Sequence, residues 1–326
     1  MESKTKNKQT REQIAAMAAR AFGGMSLAEG ETAVTELKEG WFNAAYSIRL
    51  ADGHEVILKI APPQDAEVML YEKNIMATEV AAMRLVQQNP AIPVPTIYFF
   101  DNAHDLCDAD YFFMEKMDGD NLEHVKATLP EATQTAIDQH IGQIIREING
   151  FPGTYFGYDG NPDLRANTWR EAFNKIVEAV LADAACKQVQ FDFGYDELRA
   201  TIQKHAPALA EITTPCLVHW DAWNPNFFVR NGRISGIIDF ERALWAEPLM
   251  EAQFRSLFGA TGITNAMQGY GKTSFTFAEE QRNHLYSLHL ALVMHVECYY
   301  RNYDTDHIFN FSRQYISDTM AWLQAN

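Results

Sequence analysis

The chain has 326 residues, 47% of them hydrophobic, and carries 27 Lys and Arg against 43 Asp and Glu, a net charge of −16. That length implies about two domains or lobes around a sizeable core, and the acidic balance argues against nucleic acid or an anionic membrane as partner, because both reward a basic face. The four cysteines, Cys107, Cys186, Cys216 and Cys298, are scattered with no Cys-x-x-Cys pairing, which points to neither zinc nor a disulfide framework and fits a reducing cytoplasm.

In chain order, Thr10-Arg11-Glu12-Gln13 reads as a capping box opening an amphipathic helix through Ala21, not as a signal peptide. Residues 31–62 alternate like antiparallel sheet, and Asp52-Gly53, taken as a two-residue hairpin turn, sets Tyr46 opposite Lys59. On the second of these strands Ile57 and Lys59 share one face, and Val56, Leu58 and Ile60 the other, because side chains alternate with period two. A lysine with an apolar neighbour two residues earlier suits a nucleotide cleft, Ile57 lying on the base and Lys59 reaching the phosphates. Residues 66–88 read as one helix stopped by Pro90, followed by strands over 96–100 and 111–117. Helices are expected over 130–148, from a capping box at Thr168 to Glu171 towards Lys187, and over 195–205, with 151–157 as loop. Further helices are expected over 247–257, 277–300 and 307–323. His289, His295 and Glu297 make the most apolar of them too polar to span a membrane.

Residues 217–242, LVHWDAWNPNFFVRNGRISGIIDFER, concentrate the chemistry. Asn231-Gly232 is the pair that best tolerates both positive φ angles of a type I′ turn, so two strands are read as a hairpin with Arg230 opposite Arg233. Two-residue pairing then sets Asn226 against Ile237 and brings Asn224 and Asp239 together at the open end, just beyond Asp221. An amide oxygen and a carboxylate meeting there could hold Mg²⁺. Asp221, a few residues upstream, is left to accept a proton from an attacking hydroxyl.

His219, Asp221 and Asn226 in H-x-D-x-x-x-x-N, followed by an apolar strand and I-I-D-F with Asp239, resemble the catalytic core of the aminoglycoside phosphotransferase and choline kinase group, relatives of the protein kinases. The resemblance runs over about residues 31–254. It implies an α+β, protein-kinase-like, two-lobed fold, with a small antiparallel-sheet nucleotide-binding lobe over 1–117 ending in a hinge. A larger, mainly helical lobe over 118–326 would hold catalysis and substrate. In that reading Gly40, Asn43 and Tyr46 belong to a phosphate-covering loop within 39–46. Lys59 is fixed on the phosphates by Glu79, with Glu72 as a rival, and the Glu115 carbonyl and Met117 amide meet the adenine. Asn226 and Asp239 take Mg²⁺, Asp221 is the catalytic base and His219 braces its loop. Glu247 and Glu251 stand where relatives often carry Asp-Pro and Asp, and are candidates for substrate contact. Trp220 and Trp223 depart from the group, being bulky where relatives often carry glycine or leucine and a histidine.

The resemblance therefore implies a kinase that moves the γ-phosphoryl group of ATP or GTP to a hydroxyl of a small molecule in the cytoplasm. Asp192, Asp196, Glu197, Glu247, Glu251, Glu297, Asp304 and Asp306, with the net charge, favour a cationic acceptor such as an aminoglycoside-like antibiotic. Choline, amino-sugar and homoserine-type acceptors stay open, as do the nucleotide and the oligomeric state. A protein kinase fits badly, since Glu247-Pro248 follows Asp239 within eight residues and leaves no room for a peptide-docking segment. A non-catalytic nucleotide-binding module would have no need of Asp221 beside two metal ligands.

Overall fold

The structure, a computed structural model, describes residues 6–38, 40, 42–255, 262–303 and 305–326. Helix α1 (Arg11–Ala21) begins where the capping box predicts: the Thr10 hydroxyl accepts from the Gln13 amide, and the Gln13 side chain accepts from the Thr10 amide. Ile14, Met17 and Ala18 of α1 pack on the outer face of a five-stranded antiparallel sheet. Its strands are β1 (Val34–Leu37), β2 (Ala44–Arg49), β3 (Glu55–Ile60), β4 (Ile97–Asp101) and β5 (Tyr111–Glu115), in the order β1-β2-β3-β5-β4. Period-two alternation sends Val56, Leu58, Tyr111 and Phe113 to that outer core and Ile57, Phe112 and Met114 to the inner one.

The β2–β3 register differs from the expected one by a residue. The loop holds three residues: Gly53 alone takes a positive φ, of 91°, the Leu50 amide donates to the His54 carbonyl at 2.8 Å, and the Asp52 carboxylate caps the His54 amide at 3.0 Å. A type I′ turn needs positive φ at both central residues, and Asp52 does not supply it. Ala45 therefore lies opposite Lys59 and Tyr46 opposite Leu58. One residue of slip changes the face, so Tyr46 is buried on the outer side with its hydroxyl accepting from the Gln9 amide at 3.0 Å.

The helix expected over 66–88 is shorter. A 3₁₀ turn, Leu70–Glu72, precedes α2 (Ile75–Val86), and Asn74 between them has φ 52°, which interrupts the i to i+4 ladder. Asparagine tolerates this left-handed position, and its side-chain amide is anchored on the Gly160 carbonyl at 2.9 Å.

Beyond the sheet come β6 (Asp120–Asn121), α3 (Leu122–Val125), α4 (Glu131–Ile148), α5 (Trp169–Cys186), α6 (Tyr195–His205), β7 (Cys216–Val218), β8 (Phe227–Arg230), β9 (Arg233–Ile237), β10 (Leu244–Ala246), α7 (Asn265–Tyr270), α8 (Phe277–Arg301) and α9 (His307–Ala325). The long helices α4, α5, α6, α8 and α9 lie where the sequence places them. The helix expected over 247–257 is replaced by two 3₁₀ turns, Pro248–Met250 and Ala252–Phe254; Ser256 and Leu257 lie outside the described residues. Helix α7 was not expected. It reaches α4 backbone to backbone, because a Cβ at Gly142 would overlap the Ala266 carbonyl and one at Gly269 the Gln139 carbonyl.

Two cores fix the site. Trp169, Phe173 and Tyr286 pack α5 against α8. A second cluster joins Ile57, Phe112 and Met114 of the sheet to Ile141 and Ile145 of α4 and to Phe227, Ile237 and Phe240 around the β8–β9 hairpin. That shared core holds the hairpin under β3 and brings Asp239 up to Lys59.

Candidate active site

The hairpin turns at Asn231 and Gly232, with φ 52° and 71°, and Arg230 faces Arg233 as expected. Further along, a bulge intervenes: Val229 pairs with Ile234 and Phe228 with Gly236, so Ile237 lies opposite Phe227 and not opposite Asn226. The extra residue, Ser235, donates its hydroxyl to the Asp118 carbonyl at 2.7 Å. Gly236 lies under Met117, whose side chain a Cβ there would meet at 2.8 Å. The sequence pattern carries no mark of this bulge, since two contacts far along the chain produce it. Asn226 keeps its place at the open end through its carbonyl, which accepts from the Ile238 amide at 3.0 Å.

The loop from β7 into the hairpin is braced from below. Buried Glu251 accepts from the His219 amide at 2.8 Å, the Trp220 amide at 3.0 Å and the Asn149 side chain at 3.0 Å. Trp220 has φ 70°, a strained position for a bulky residue. Its ring is flanked by the guanidinium of Arg255, 4.3 Å from the centroid, and that of Arg242, 5.1 Å away. His219 is fully buried, packs against Phe240 with the rings tilted and their centroids 4.2 Å apart, and lies with Nε2 3.0 Å from the Ile238 carbonyl and Nδ1 3.3 Å from the Asp221 amide. Nε2 therefore carries the proton and Nδ1 accepts. Burial lowers its pKa and keeps the ring neutral.

Asn226 donates its side-chain amide to the Asp221 carbonyl at 2.8 Å, which leaves its amide oxygen as the atom to face a cation. Burial raises the pKa of Asp221, while Arg242 is the strongest charge opposing that shift. Arg242 itself donates to Glu297 at 2.7 Å. Glu297 also accepts from the Tyr71 hydroxyl at 2.6 Å and lies 3.7 Å from Arg301, which pairs with Glu72. Glu72 thus belongs to this network, not to Lys59.

Lys59 is 12% exposed and gathers three carboxylates: both oxygens of Glu79 at 2.8 Å, Asp239 at 2.5 Å and Glu241 at 3.7 Å. Burial alone would lower the lysine pKa, but Asp239, Glu79 and Glu241 more than reverse this and hold it charged. Burial pushes Glu79 up to about 7 and Glu241 up to about 8, the latter reinforced by Asp239. The neighbouring lysine outweighs burial at Asp239 and lowers its pKa. Asp239 sits at φ 72°, which turns its carboxylate back towards β3. One oxygen from each of Glu79, Asp239 and Glu241 lies within 4.8 Å of the others, a set of hard donors that fits a divalent cation.

The remaining expected residues divide. Ile57 is buried on the inner face beside this cluster. Asn43 does not point at open space: its side-chain amide donates to Glu241 at 2.7 Å, and its buried amide oxygen has no partner. Gly40 is exposed, and a Cβ there would only touch the Asn43 carbonyl at 3.5 Å, so nothing steric demands glycine. Glu39 and Trp41 lie outside the described residues, as does Asp304. Glu115 accepts from the Thr96 hydroxyl at 3.0 Å and its amide donates to the Thr96 carbonyl at 2.8 Å, while Met117 lies over Gly236 where β5 leaves the sheet. Glu247 and Glu251 are not placed to meet a substrate. Glu247 is 3% exposed and pairs with Arg282 at 2.8 Å and with Tyr286, and Glu251 is spent on the loop amides. Sequence reasoning missed Glu241, Arg242 and Arg301. Glu241 had a readable signal two residues after Asp239; the arginines had none, since their partners lie 55 and 229 residues away.

A small antiparallel sheet carrying a buried Lys–Glu pair, facing an H-x-D-x-x-x-x-N loop and a metal-capable aspartate across a shared core, defines a protein-kinase-like fold. The profile of the phosphotransferase enzyme family matches residues 33–260, and the chain belongs to that family. The chain is thus an α+β member of the phosphotransferase enzyme family. It is similar in fold to a protein assigned as a fructosamine-3-kinase from Haemophilus somnus, 16% identical, covering 94% of this chain and 97% of that one at TM-score 0.69. It is also similar to the aminoglycoside phosphotransferase APH(2″)-IIa in a ternary complex with streptomycin and ATP, 15% identical, covering 98% and 97% at TM-score 0.61. Two curated subtelomeric hrmA-associated cluster proteins of Aspergillus fumigatus are 26% identical over 125 residues, 38% of this chain. The matched stretch spans 24% of the length of those relatives. No described helix is long and apolar enough to cross a membrane.

Proposed function

We propose that this phosphotransferase moves the γ-phosphoryl group of ATP or GTP onto a hydroxyl of a small molecule. The observation that carries the reading is Lys59 locked between Glu79 and Asp239, with the Asp221 loop tied to Asn226 on the same hairpin. Lys59 would move onto the phosphates, Ile57 would lie against the base, and the Glu115 carbonyl and Met117 amide would hold its edge at a boundary between lobes after Met117. The acceptor oxygen forms its bond to the γ-phosphorus as the bond to the β–γ bridging oxygen breaks; the nucleoside diphosphate leaves, and Asp221 takes the acceptor proton. Asn226 and Asp239 would hold Mg²⁺, which supplies charge neutralisation of the phosphates.

ATP and streptomycin in the similar ternary complex support testing ATP and an aminoglycoside-like acceptor first. Side-chain placement gives a cationic acceptor no added support. Asp192 is paired with Arg313 at 2.6 Å, Glu197 accepts from Gln324 at 2.9 Å, and Glu297 is held by Arg242. The experiment is calorimetric titration of Mg-ATP and Mg-GTP, alongside nucleotide turnover with hygromycin B, streptomycin, a fructosamine, glucosamine, choline and homoserine. Binding of one nucleotide with turnover on at least one hydroxyl compound is expected. Nucleotide binding with no turnover across a wide panel favours the non-catalytic module.

A further inference from the structure

Between the proposed base and the proposed metal ligand stands an indole in solvent. Along the loop, Trp220 and Ala222 are buried, Asp221 is half-buried and Trp223 is 45% exposed. Trp223 has φ −119° and ψ 173°. Within residues 219–223, His219, Trp220 and Ala222 are buried, and Asp221 and Trp223 are the two side chains that reach the surface. Trp223 is also fixed at both ends of its peptide unit: its amide donates to the Asp221 carbonyl at 3.0 Å and its carbonyl accepts from the Asn226 amide at 3.0 Å. The indole is therefore carried on the same short piece of backbone as the two residues that flank the transferred group.

Among the described residues the indole has no ring partner, cation over its face or hydrogen bond to its nitrogen, although large aromatic side chains usually bury most of their surface. Of the described residues, three large hydrophobics are at least this exposed, Tyr98, Trp223 and Phe277, and Trp223 is the one that belongs to the loop carrying Asp221. We propose that Trp223 is a specificity residue of the acceptor site, stacking on an acceptor that presents a flat ring face beside the hydroxyl to be phosphorylated. The inference rests on the kinase reading above. A ring lying on the indole exchanges two wet apolar faces for one contact, and it orients the adjacent hydroxyl towards Asp221. An acyclic acceptor gains little from such a wall.

The test compares wild type, Trp223→Ala and Trp223→Phe on the ring-bearing members of the panel (hygromycin B, streptomycin, glucosamine) and on the acyclic choline and homoserine, with Mg-nucleotide titrated into each variant. Ring-bearing acceptors should be preferred by wild type. Trp223→Ala should raise their KM about tenfold, with kcat and nucleotide affinity little changed, and Trp223→Phe should restore most of the loss. Unchanged acceptor KM in Trp223→Ala overturns the proposal, as does turnover confined to acyclic compounds or on none of the ring-bearing ones. Failure of wild type to bind Mg-nucleotide would instead strike the kinase reading itself.

Discussion

The two sides of the cleft are built on opposite electrical plans. Around Lys59, three carboxylates share one ammonium group, and the buried amide oxygen of Asn43 adds an unpartnered acceptor at the same place. Around Asp221, Arg242 pairs with Glu297 and Arg301 with Glu72, Arg255 donates to the Trp220 and Met250 carbonyls, and the unsatisfied buried groups include two donors, Nη1 of Arg301 and Nε1 of Trp220. The first side has an excess of negative charge that a cation and a repositioned lysine would use. The second is already balanced, so it makes no demand for a positively charged acceptor. Acidic residues counted along the chain do not distinguish these situations; the distribution of their partners does.

The comparison breaks most visibly at Asp221. Asp221→Asn keeps the size and hydrogen bonding but cannot take the proton, and kcat should fall by about 10²–10⁴-fold, the range for loss of general-base help. Mg-nucleotide binding, measured by calorimetry, should survive. Turnover equal to wild type would move the base elsewhere.

On the balanced side, Arg242→Ala leaves Glu297 buried without its closest cation. Removing one partner of a buried pair costs about 3–5 kcal/mol, so a fall in denaturant midpoint is expected even though Arg242 is not assigned to nucleotide or metal. A variant as stable as wild type would show that Tyr71 and Arg301 suffice to hold the acid.

On the acidic side, Lys59→Ala removes a charge-assisted contact of about 1.5–3 kcal/mol, which corresponds to a nucleotide KM about tenfold to a hundredfold higher. Because Lys59 is 12% exposed and not a solvated residue, the variant should also melt earlier, its three carboxylates left facing one another. An unchanged nucleotide KM would separate Lys59 from the phosphates.

The smallest effect is the pH response. Glu79 and Glu241, ordinarily near 4.5, titrate at about 7 and about 8 in the folded chain. Between 4.5 and those values the unfolded chain has released protons that the folded chain retains. Their contribution to stability therefore falls as pH rises through that window. Thermal melts from pH 5 to 8.5 should show this decline, and Mg²⁺ should raise the melting temperature more at pH 8.5 than at pH 6.5, since a cation held by Asp239 gains from the ionised Glu79 and Glu241 beside it. Equal Mg²⁺ shifts at the two pH values would show that these two acids do not act on the cation.

Local signals determined much of this protein. The Thr10 cap, the α4, α5, α6, α8 and α9 periodicities and the Asn231-Gly232 turn depend on residues within a few positions of each other, and each element formed where its own residues placed it. The grouping of His219, Asp221, Asn226 and Asp239 was equally legible, since one hairpin and the loop before it carry all four. Tertiary structure decided the rest. Whether Ser235 bulged depended on Asp118 and Met117, contacts that no local pattern encodes, whereas the three-residue closure at Asp52-Gly53 was set by the neighbouring Leu50 and His54. Glu247, Glu251 and Glu297 read as acids available to a cationic acceptor until Arg282, the His219 and Trp220 amides, and Arg242 were folded onto them. An acidic side chain has the same sequence signature in solvent and in a buried pair; the energetic difference arises from partners that are distant in the chain and adjacent only after folding.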